Sequence, residues 1–509
     1  MIAERLEQTA ARFPDSIALV DGDTRISYLE LTWRVTAFAR YLKQDLALAP
    51  GEAVGFFLPN CWQFVVGFFA VAKIGVVCMP FNTRWRASEL ESCVRRFPVS
   101  AVVTSQELRE PWDRLGELIP PERVLVIEKP EVAEALAPES SAQADWRGHQ
   151  SAEKGIALNL MTSGSTGRPR VAPRSHRAML AGATNVGQAV GVRAGQRFLA
   201  IVPFYHSNGL NNCMFLPLVH GATIVVMKKF EPRRFVDLVR TNKIQVLIVS
   251  PLILRVLGDQ NLDAGSFSSV EVCLSSGAPT PRALAELWQD RFAIRVRQLY
   301  GSSETGTISI EPADAPIRGG SVGTPVPCVE VRVLDSAGGE RALGEVGEIV
   351  IRGPAMMPGY VGEPELNARV FTGGYFRTGD VGKLDEDGNL SIVGRKKRTI
   401  NFGGIQVDPG EIEAVIEKMP GIRGCRALGV MDRRQSEIIK AVIEVGDEHN
   451  RSRREVVEHC RRFLAEYKIP RVIDFVNAIP VDLTGKQLMA WGSSSDELSS
   501  QQNEKTATD

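Results

Sequence analysis

The chain has 509 residues, of which 60 are basic and 60 acidic, so its formal net charge is zero, and hydrophobic residues make up 44% of it. This charge balance gives no electrostatic reason to expect nucleic acid or an anionic membrane as a partner, so a small molecule is favoured. A single hydrophobic core stops growing at about 250 to 300 residues, so the length predicts two or more domains.

Neither the cysteines nor the apolar segments indicate secretion or membrane insertion. The eight cysteines are scattered without a Cys-x-x-Cys pair, and residues 1–11 lack the apolar core of a signal peptide. The most membrane-like segment, residues 64–79, contains Lys73 and falls short of about 20 apolar residues. We therefore expect free thiols, a cytoplasmic protein, and a buried helix followed by a strand in this segment.

Short β-branched runs alternate with amphipathic stretches through the first two-thirds of the chain. The predicted strands cover residues 53–58, 101–104, 156–160, 198–203, 222–227, 245–250 and 270–275. Strands that alternate with helices are typical of βαβ units, so the pattern predicts an α/β fold. Residues 128–154 are rich in Ala, Pro, Glu and Ser, which predicts a solvated connection.

A second domain is predicted after Gly394. The basic run at residues 395–398 precedes a segment with its own strand at 439–445 and helix at 456–466, and we place a hinge at Arg398. The active site is expected between the two domains. The expected parts are a large α/β N-terminal domain of several sub-structures (1–394), a small mobile α+β lid (395–492) and a disordered tail poor in apolar residues (493–509).

The clearest chemical signal is a loop rich in glycine and hydroxyl side chains at residues 161–170. Glycines let backbone N–H groups approach an anion, the hydroxyls add donors, and an arginine adds charge. The Gly-Lys-Ser/Thr ending of a P-loop is missing. A flexible surface loop is the alternative, but so many specified positions favour phosphate binding. The residues expected to bind phosphate are Thr162, Ser163, Gly164, Ser165, Thr166, Gly167 and Arg170.

Further motifs follow this loop in a fixed order. They are Pro-Phe-Tyr-His at 203–206, Ser-Gly-Ala-Pro at 276–279, Tyr-Gly-Ser-Ser-Glu at 300–304, Phe-Arg-Thr-Gly-Asp at 376–380, Gly-Arg at 394–395, Pro-Gly-Glu-Ile-Glu at 409–413 and Thr-Gly-Lys at 484–486. Across about residues 17–489 the chain resembles the adenylate-forming superfamily of acyl- and aryl-CoA synthetases, luciferases and peptide-synthetase adenylation domains. The resemblance implies activation of a carboxylic acid as an acyl-AMP and transfer of the acyl group to a thiol.

The resemblance also implies the ligands, which are ATP, Mg²⁺ and either coenzyme A or the phosphopantetheine of a carrier protein. Within the nucleotide site, Asp380 would accept the ribose hydroxyls and Tyr300 would stack on adenine, with a turn or helix cap and core packing as the respective alternatives. The remaining nucleotide-binding residues are Gly277, Ala278, Pro279, Gly301, Ser302, Ser303 and Arg395.

Three residues are assigned to the chemistry by the resemblance. Lys486, arriving on the lid, would neutralise charge that builds during attack on the α-phosphate. Glu304 would supply a hard oxygen ligand for Mg²⁺. His206 has no nearby acid or nucleophile in the sequence, so its expected role is positioning. Taken alone, these residues would read as a solvated lysine, a surface glutamate and a packed neutral histidine.

The acid and the thiol have predicted sites of their own. Residues 203–212 contain no carboxylate that would pair with an α-ammonium group, so we expect an acid without one. Gly403 and Gly404 are predicted to leave room for a pantetheine arm in a thiol tunnel. The residues expected to line the acyl pocket are His206, Ser207, Asn208, Gly209, Ser276 and Gly277.

The sequence departs from the family pattern at a few positions. Arg170 stands where lysine is usual, which keeps the charge but changes the hydrogen-bond geometry, and Cys328 stands where glycine is usual. Three functions are compatible with nucleotide binding: a ligase that forms a coenzyme A thioester, an enzyme that loads a carrier protein, and a binding protein without catalysis. Lys486 and Glu304 argue against the last, and we expect coenzyme A as the acceptor because the chain ends without a carrier domain.

Overall fold

The structure is a computed structural model that describes residues 1–138, 155–162, 169–395, 400–432, 436–445, 452–477 and 479. The described residues fall into two compact units, a large one that ends by residue 395 and a small one that begins at residue 400. Both mix helices and strands, which confirms the predicted class of a large α/β N-terminal part followed by a small α+β part.

Helices occur throughout both units. Several begin at a side chain that caps their free N–H groups, for example Ser175, which accepts from Ala178 N over 3.1 Å. The helices are α1 (Ile2–Arg12), α2 (Tyr28–Gln44), α3 (Trp62–Lys73), α4 (Ala87–Arg96), α5 (Glu110–Asp113), α6 (Pro130–Ala135), α7 (His176–Val190), α8 (Leu216–Val219), α9 (Pro232–Thr241), α10 (Pro251–Gly258), α11 (Arg282–Phe292), α12 (Pro364–Val370), α13 (Pro409–Ile416) and α14 (Arg453–Phe463).

Most strands are short, in keeping with the short β-branched runs of the sequence. They are β1 (Ile17–Asp21), β2 (Thr24–Ser27), β3 (Ala53–Phe57), β4 (Val77–Pro80), β5 (Ala101–Thr104), β6 (Val124–Val126), β7 (Ile156–Thr162), β8 (Arg170–Ser175), β9 (Arg197–Ala200), β10 (Thr223–Val226), β11 (Val246–Val249), β12 (Val272–Ser275), β13 (Val296–Ser302), β14 (Gly306–Ile310), β15 (Thr324–Pro325), β16 (Glu330–Leu334), β17 (Gly347–Arg352), β18 (Phe371–Thr372), β19 (Tyr375–Leu384), β20 (Leu390–Arg395), β21 (Ile400–Phe402), β22 (Ile405–Val407), β23 (Ile422–Met431), β24 (Glu437–Val445) and β25 (Val472–Val476).

Two parallel-rich sheets form most of the large unit. One has the order β15-β14-β13-β12-β11-β9-β10-β1-β2, and its six inner strands from β13 to β1 are parallel. The other has the order β6-β5-β3-β4-β7-β8, and only its last pair is antiparallel. Parallel strands have their carboxyl ends at one edge of a sheet, where ligands bind in such folds.

The remaining sheets are antiparallel or mixed. In the large unit, β16, β17, β19 and β18 follow one another across a third sheet, and β20 pairs with β19. In the small unit, β21 pairs with β22, and β23, β24 and β25 form a three-stranded sheet that packs with α13 and α14 around a separate apolar core. Each unit therefore has a core of its own, as an independent domain requires.

The apolar segment at residues 64–79 folds as the sequence predicts. α3 is buried from Phe64 to Lys73 and leads into β4, which lies inside the parallel sheet. Lys73 pairs with Glu7 over 2.6 Å and also bonds Thr36, so its buried charge is compensated. Among the described helices, none has the length and hydrophobicity needed to cross a membrane.

Two predicted boundaries differ from the structure. The connection predicted to start at residue 128 begins instead with α6, because Val132 and Leu136 are spaced to bury one helical face against the core. Residues 130–135 are thus helical, but only Val132 among them is buried, so most of this segment is solvated as predicted. The helix predicted at 456–466 begins at Arg453, where Ser452 and Glu455 form a capping box, and ends at Phe463.

Cys328 occupies a left-handed backbone position. Its φ is +62°, a conformation that favours glycine because a side chain crowds the backbone there. This explains in physical terms why glycine is the expected residue at this point. All eight cysteines lie among the described residues, and each is a free thiol, with only Cys328 exposed.

Candidate active site

The strands that flank the predicted phosphate loop place Thr162 and Arg170 opposite each other. The two residues are paired in register at the ends of β7 and β8. Arg170 is 8% exposed, and its guanidinium lies over the Tyr360 ring, 5.9 Å from the ring centroid. The base of the loop thus carries a largely buried positive charge, which suits an anion site. The predicted contacts at Ser163, Gly164, Ser165, Thr166 and Gly167 lie outside the described residues.

The segment predicted to contact adenine, residues 276–279, turns at the carboxyl end of β12. Gly277 has a φ of +89°, which glycine adopts without strain. The side chain of Gln298, on the neighbouring β13, donates to the Ala278 carbonyl oxygen over 3.1 Å and accepts from Thr280 N over 2.9 Å. These bonds fix the segment beside the strand that leads to Tyr300.

Tyr300, Asp380 and Arg395 meet in the large unit. Tyr300 Oη donates to Asp380 Oδ2 over 2.6 Å, and Arg395 Nε lies 2.6 Å from Asp380 Oδ1. Pairing of β19 with β20 places Asp380 opposite Arg395, so Asp380 belongs to a strand and does not cap a helix. Burial and then the Asp380 charge raise the pKa of Tyr300 well above its ordinary value, so its hydroxyl stays a donor.

The Asp380 carboxylate is held but not saturated. Asp380 is 5% exposed and receives one side-chain donor at each oxygen. Each carboxylate oxygen accepts about two hydrogen bonds. Both oxygens therefore keep capacity for a further donor such as a ribose hydroxyl, and Tyr300 and Arg395 fix the direction in which that capacity points.

A tight turn at residues 302–305 connects β13 to β14. Ser302 N donates to Thr305 Oγ1 over 3.1 Å, which closes the turn. At Gly301 the two strands come so near that an added Cβ would lie 2.2 Å from the Gly306 carbonyl oxygen. Only glycine fits at position 301, and the turn is thereby held close to Tyr300.

Glu304 lies in this turn with its backbone and side chain tied to the segment before α12. Met357 N donates to the Glu304 carbonyl oxygen over 2.8 Å, and Tyr360 Oη donates to Glu304 Oε1 over 2.7 Å. Burial and the Glu304 charge raise the pKa of Tyr360 well above its ordinary value, so it too remains protonated. The second carboxylate oxygen, Oε2, has no protein donor among the hydrogen bonds of the described residues.

The surroundings of Glu304 fit a magnesium ion that is held mainly by a nucleotide. Within the described parts of the chain, no group of three or more His, Cys, Asp or Glu side chains could hold a metal by itself. Mg²⁺ usually binds one or two carboxylates and completes its octahedron with water and substrate phosphates. A single half-buried glutamate beside a phosphate site meets that requirement, whereas a protein-only metal cage does not form here.

His206 packs at the start of an irregular helical turn. The backbone N–H of His206 donates to the Pro203 carbonyl oxygen over 3.0 Å, and its backbone carbonyl oxygen accepts from Leu210 N over 2.9 Å. The centre of its ring lies 4.6 Å from that of the Tyr205 ring. Burial, and then the charge of Arg84, lower the pKa of His206 from 6.5 to about 4. The imidazole is therefore neutral at physiological pH but too weakly basic to be an efficient general base there, which fits a positioning role.

Amide side chains follow His206 along the π-helical segment Gly209–Phe215. Asn211 Nδ2 donates to Ser207 Oγ over 3.0 Å, and Asn212 Nδ2 donates to Asn208 Oδ1 over 2.9 Å and to Thr307 Oγ1 over 3.4 Å. The Oδ1 atom of Asn211 is buried without a partner in the described structure. The predicted acyl-pocket segment thus carries several hydrogen-bonded polar side chains and one buried oxygen, Asn211 Oδ1, that accepts no hydrogen bond in the described structure.

Gly209 allows this segment to fold back on itself. An added Cβ would lie 2.1 Å from the Pro203 carbonyl oxygen and 2.5 Å from that of Val202. Backbone atoms at that distance cannot move aside without shifting the chain. Glycine at position 209 is therefore a packing requirement that brings Ser207 and Asn208 next to the strand end before His206.

In the small unit, Gly403 and Gly404 form the turn between β21 and β22. Both have positive φ, +60° and +94°, and Gly404 N donates to Asn401 Oδ1 over 2.8 Å. A two-residue hairpin turn of this kind demands glycine-like conformations at both positions. The turn explains both glycines, and their expected contact with a pantetheine arm stays a prediction. The predicted Arg398 hinge, Lys486 and the tail at 493–509 lie outside the described residues.

The sequence-based site omitted Arg174, Tyr360 and Thr307. Arg174 stands four residues after Arg170 on β8, so the two side chains share one face of the strand, a spacing that could have drawn attention to it. Tyr360 and Thr307 carry no local signal. Their importance comes from contacts with Glu304 and Asn212, which are distant in sequence.

The contacts in the large unit connect several predicted motifs into one site. Arg170 lies on Tyr360, which binds Glu304, and the turn of Glu304 continues β13 from Tyr300, which binds Asp380. On the other side of the same turn, Thr307 contacts the amides that follow His206. Residues from the phosphate, adenine, ribose and acid motifs therefore lie in one connected cluster.

Sequence comparison gives this cluster a family. Residues 6–361 match the family described as AMP-binding enzyme, and residues 411–486 match the AMP-binding enzyme C-terminal domain. The chain belongs to the AMP-binding enzyme family. The predicted resemblance to the adenylate-forming superfamily is thereby confirmed.

Individual relatives cover nearly the whole chain. A feruloyl-CoA synthase of Amycolatopsis sp. is 30% identical over 480 residues, which span 93% of this chain and 95% of the relative. A long-chain-fatty-acid–CoA ligase of Mycobacterium tuberculosis is 31% identical over 494 residues, 95% and 96% of the two chains.

Solved structures share the fold. An o-succinylbenzoate CoA synthetase of Bacillus subtilis has a TM-score of 0.85 at 23% identity, covering 95% of this chain and 97% of the other. An amide bond synthetase of Marinactinospora thermotolerans has a TM-score of 0.87 at 25% identity, covering 96% and 97%.

Proposed function

We propose that this protein is an AMP-forming carboxylic acid–coenzyme A ligase that uses ATP and Mg²⁺. The ligase class predicted from the motifs is confirmed by relatives named as CoA synthases and ligases over almost the full chain. The observation that carries the proposal at the level of residues is the turn at 302–305. Glu304 in this turn binds Tyr360, which lies under Arg170, and Tyr300, on the strand that leads into the turn, binds Asp380.

In the first half-reaction, a carboxylate oxygen of the acid attacks the α-phosphorus of ATP, and the bond from that phosphorus to pyrophosphate breaks. Asp380, oriented by Tyr300 and Arg395, accepts the ribose hydroxyls and fixes the α-phosphate relative to the acid. Mg²⁺, held at Glu304, would supply positive charge to the phosphate oxygens. Arg170 adds charge at the base of the loop, and Lys486 neutralises the charge that builds in the transition state.

In the second half-reaction, the thiol sulfur attacks the acyl carbonyl carbon, the bond from that carbon to the phosphate oxygen of AMP breaks, and the thiol proton is released with AMP. His206 remains neutral and packs against Tyr205, so it shapes the wall beside the acyl carbon and does not take up the thiol proton. Gly403 and Gly404 would border the path of the pantetheine arm. Thioester and AMP are the products.

The acid is proposed to be uncharged away from its carboxylate and to carry a polar substituent. Residues 203–212 hold no acidic side chain for an ammonium group. Ser207, Asn208 and Asn212 present neutral polar atoms, and Asn211 Oδ1 is a buried acceptor that a hydroxyl group of the acid would satisfy. A hydroxylated aromatic or aliphatic acid meets these conditions.

Coenzyme A is the proposed acceptor, although the fold by itself does not choose it. A structural neighbour of similar TM-score is named an amide bond synthetase, so the same architecture serves different acceptors. A feruloyl-CoA synthase and a long-chain-fatty-acid–CoA ligase, 30% and 31% identical over nearly the whole chain, are named for coenzyme A, which supports coenzyme A here. Nothing comparable supports loading of a carrier protein.

The thiols support a cytoplasmic location for this enzyme. Burial raises the pKa of Cys61, Cys213 and Cys273 to about 12, so these groups remain protonated and poorly reactive. Free, buried thiols are typical of proteins that work in a reducing compartment.

An acid-dependent pyrophosphate exchange screen tests the first half-reaction. Aliphatic, aromatic, hydroxylated and amino acids are compared, with Lys486→Ala as the control that should lose exchange by about 10²-fold or more because a transition-state contact is removed. Exchange with hydroxylated acids is expected to exceed exchange with their unsubstituted analogues. Strong exchange only with L-amino acids, or unchanged exchange in the control, would contradict the assignment.

Transfer is tested separately from adenylation. Purified acyl-AMP is supplied together with free coenzyme A, with a phosphopantetheinylated carrier protein, or with a simple amine, and product formation is followed by mass. Rapid thioester formation with coenzyme A is expected. If acyl transfer occurred only to the carrier protein or only to the amine, and not to coenzyme A, that acceptor would replace coenzyme A in the proposal.

A further inference from the structure

Arg174 is a buried charge to which the proposed mechanism gives no role. It lies on β8, is 1% exposed, and donates from Nη1 to the Ser303 carbonyl oxygen over 3.1 Å. Its Nε is buried without a hydrogen-bond partner in the structure as described. A guanidinium is expensive to bury unless other charges compensate it. The position of Arg174 therefore calls for an electrostatic partner.

The fold makes room for this guanidinium directly behind the turn that carries Glu304. An added Cβ at Gly306 would lie 3.1 Å from Arg174 Nη2, and one at Gly182 would lie 3.9 Å from the same atom. Gly306 also has a φ of +71°, so a larger residue is disfavoured there twice over. β14 and α7 thus leave a slot that the Arg174 side chain fills.

Glu304 is the acidic group that faces Arg174. Burial lowers the pKa of Arg174 to about 10, and the Glu304 charge acts in the opposite direction, so Arg174 remains a cation at neutral pH. Glu304 in turn gives one oxygen to Tyr360, whose ring lies under the Arg170 guanidinium. The Arg174 guanidinium therefore acts on Glu304 from behind its turn, while Arg170 contacts the tyrosine that binds this carboxylate.

We propose that Arg174 is a positioning residue for Glu304 that prevents this carboxylate from holding a divalent cation in the nucleotide-free enzyme, so that the cation enters only with the triphosphate. The inference rests on the proposed function, in which Glu304 binds the Mg²⁺ of ATP. With Arg174 present, a lone cation at Glu304 is opposed by a buried positive charge. The negative triphosphate reverses that balance and makes the site attractive.

A purely structural role for Arg174 makes a different prediction. If the guanidinium only held the Ser303 carbonyl oxygen, its replacement would lower stability and leave the affinity for a free divalent cation unchanged. If it screens Glu304, removal of its charge must strengthen cation binding in the absence of nucleotide. Cation affinity without nucleotide therefore separates the two roles.

The proposal is tested by titrating the full-length protein with Mn²⁺ in the absence of nucleotide. Bound Mn²⁺ is measured as the loss of the electron paramagnetic resonance signal of the free ion. Native protein and Arg174→Lys should bind Mn²⁺ weakly. Arg174→Met should bind it at least about tenfold more tightly, because an opposing charge near a carboxylate is removed. The double variant Arg174→Met with Glu304→Gln should lose that gain, which assigns the new affinity to Glu304.

Equal Mn²⁺ affinity in native protein and Arg174→Met would overturn the proposal. The proposal would also be overturned if the native protein bound Mn²⁺ tightly without nucleotide and Glu304→Gln abolished that binding. This measurement needs no Arg174 variant, so it is decisive even if Arg174→Met does not fold. Arg174→Gln provides a second uncharged variant. Failure of the proposed function would look different, since the native enzyme would then form no acyl-AMP from any acid tested.

Discussion

Replacing Tyr300 with phenylalanine should weaken ATP binding through Asp380 and leave the aromatic ring in place. The change removes the hydroxyl that donates to Asp380 Oδ2 over 2.6 Å, at a carboxylate that is only 5% exposed. Hydrogen bonds to charged groups contribute about 1.5 to 3 kcal/mol. The bond is present without ATP, so this energy is an upper limit on the lost affinity; since about 1.4 kcal/mol corresponds to a factor of ten, the dissociation constant for ATP should rise by up to about 100-fold.

Tyr375→Phe is a matched control in the same chain. Tyr375 Oη also donates to a carboxylate over 2.6 Å, but its acceptor Glu330 has a side chain that is 53% exposed and also binds Arg352. Water and Arg352 can replace the lost donor there, so the control should change stability little and leave ATP affinity unchanged.

The assay for both variants is calorimetric titration with ATP, combined with thermal unfolding to register any general loss of stability. Tyr300→Phe should show the larger fall in ATP affinity and a lower unfolding midpoint. If Tyr300→Phe binds ATP as the native protein does, while unfolding like the control, then the hydroxyl does not orient Asp380 and the ribose assignment is refuted.

Two further variants test packing and protonation around the acid segment. Gly209→Ala should destabilise the protein by about 1 to 3 kcal/mol or more, because its Cβ would meet Pro203 O at 2.1 Å, whereas Gly265→Ala, with no atom within 4 Å, should be close to neutral in thermal unfolding. An equal effect of the two alanines would contradict the close approach. Because the pKa of His206 is about 4 when folded and 6.5 ordinarily, the unfolded chain binds the extra proton more readily, and stability should fall as the pH drops from 6.5 towards 4. His206→Gln should reduce this loss of stability by up to about 1.4 kcal/mol per pH unit, and by less where solvent reaches the ring. The measurement is the free energy of unfolding from pH 7.5 to 4.5. An unchanged pH dependence would argue against a neutral imidazole at this position.

The fold class could be predicted from sequence because the strands that carry it are local signals. The run at residues 101–104 is a strand with those same limits, and the run at 246–249 lies within the predicted 245–250. Segment ends were harder, since they depend on caps such as Ser452 and on one-sided burial such as that of Val132. Local pattern therefore predicted which elements exist better than it predicted where they stop.

For the candidate site, local motifs identified individual residues, whereas the contacts between those residues depend on the fold. Asp380 and Tyr300 each occur in a recognisable motif, so both were named from sequence, yet the hydrogen bond that joins them crosses 80 positions of the chain. Whether Tyr300 served packing or binding could not be decided from its neighbours. In the structure its ring is buried in a core cluster while its hydroxyl holds Asp380, and the stacking of this ring on adenine stays a prediction.

The arginines of β8 show why a departure from a family pattern is best judged after folding. Arg170 was noted because it stands where lysine is usual, and the concern was its hydrogen-bond geometry. In the structure its planar guanidinium lies over the Tyr360 ring, a contact that suits arginine. The hydroxyl of the same tyrosine donates to Glu304. Arg174, four residues further along the same face, donates to the Ser303 carbonyl oxygen in the turn that carries Glu304. Substituting lysine at position 170 would keep one charge but lose the planar contact with the Tyr360 ring, so this ring contact accounts for arginine at the departure.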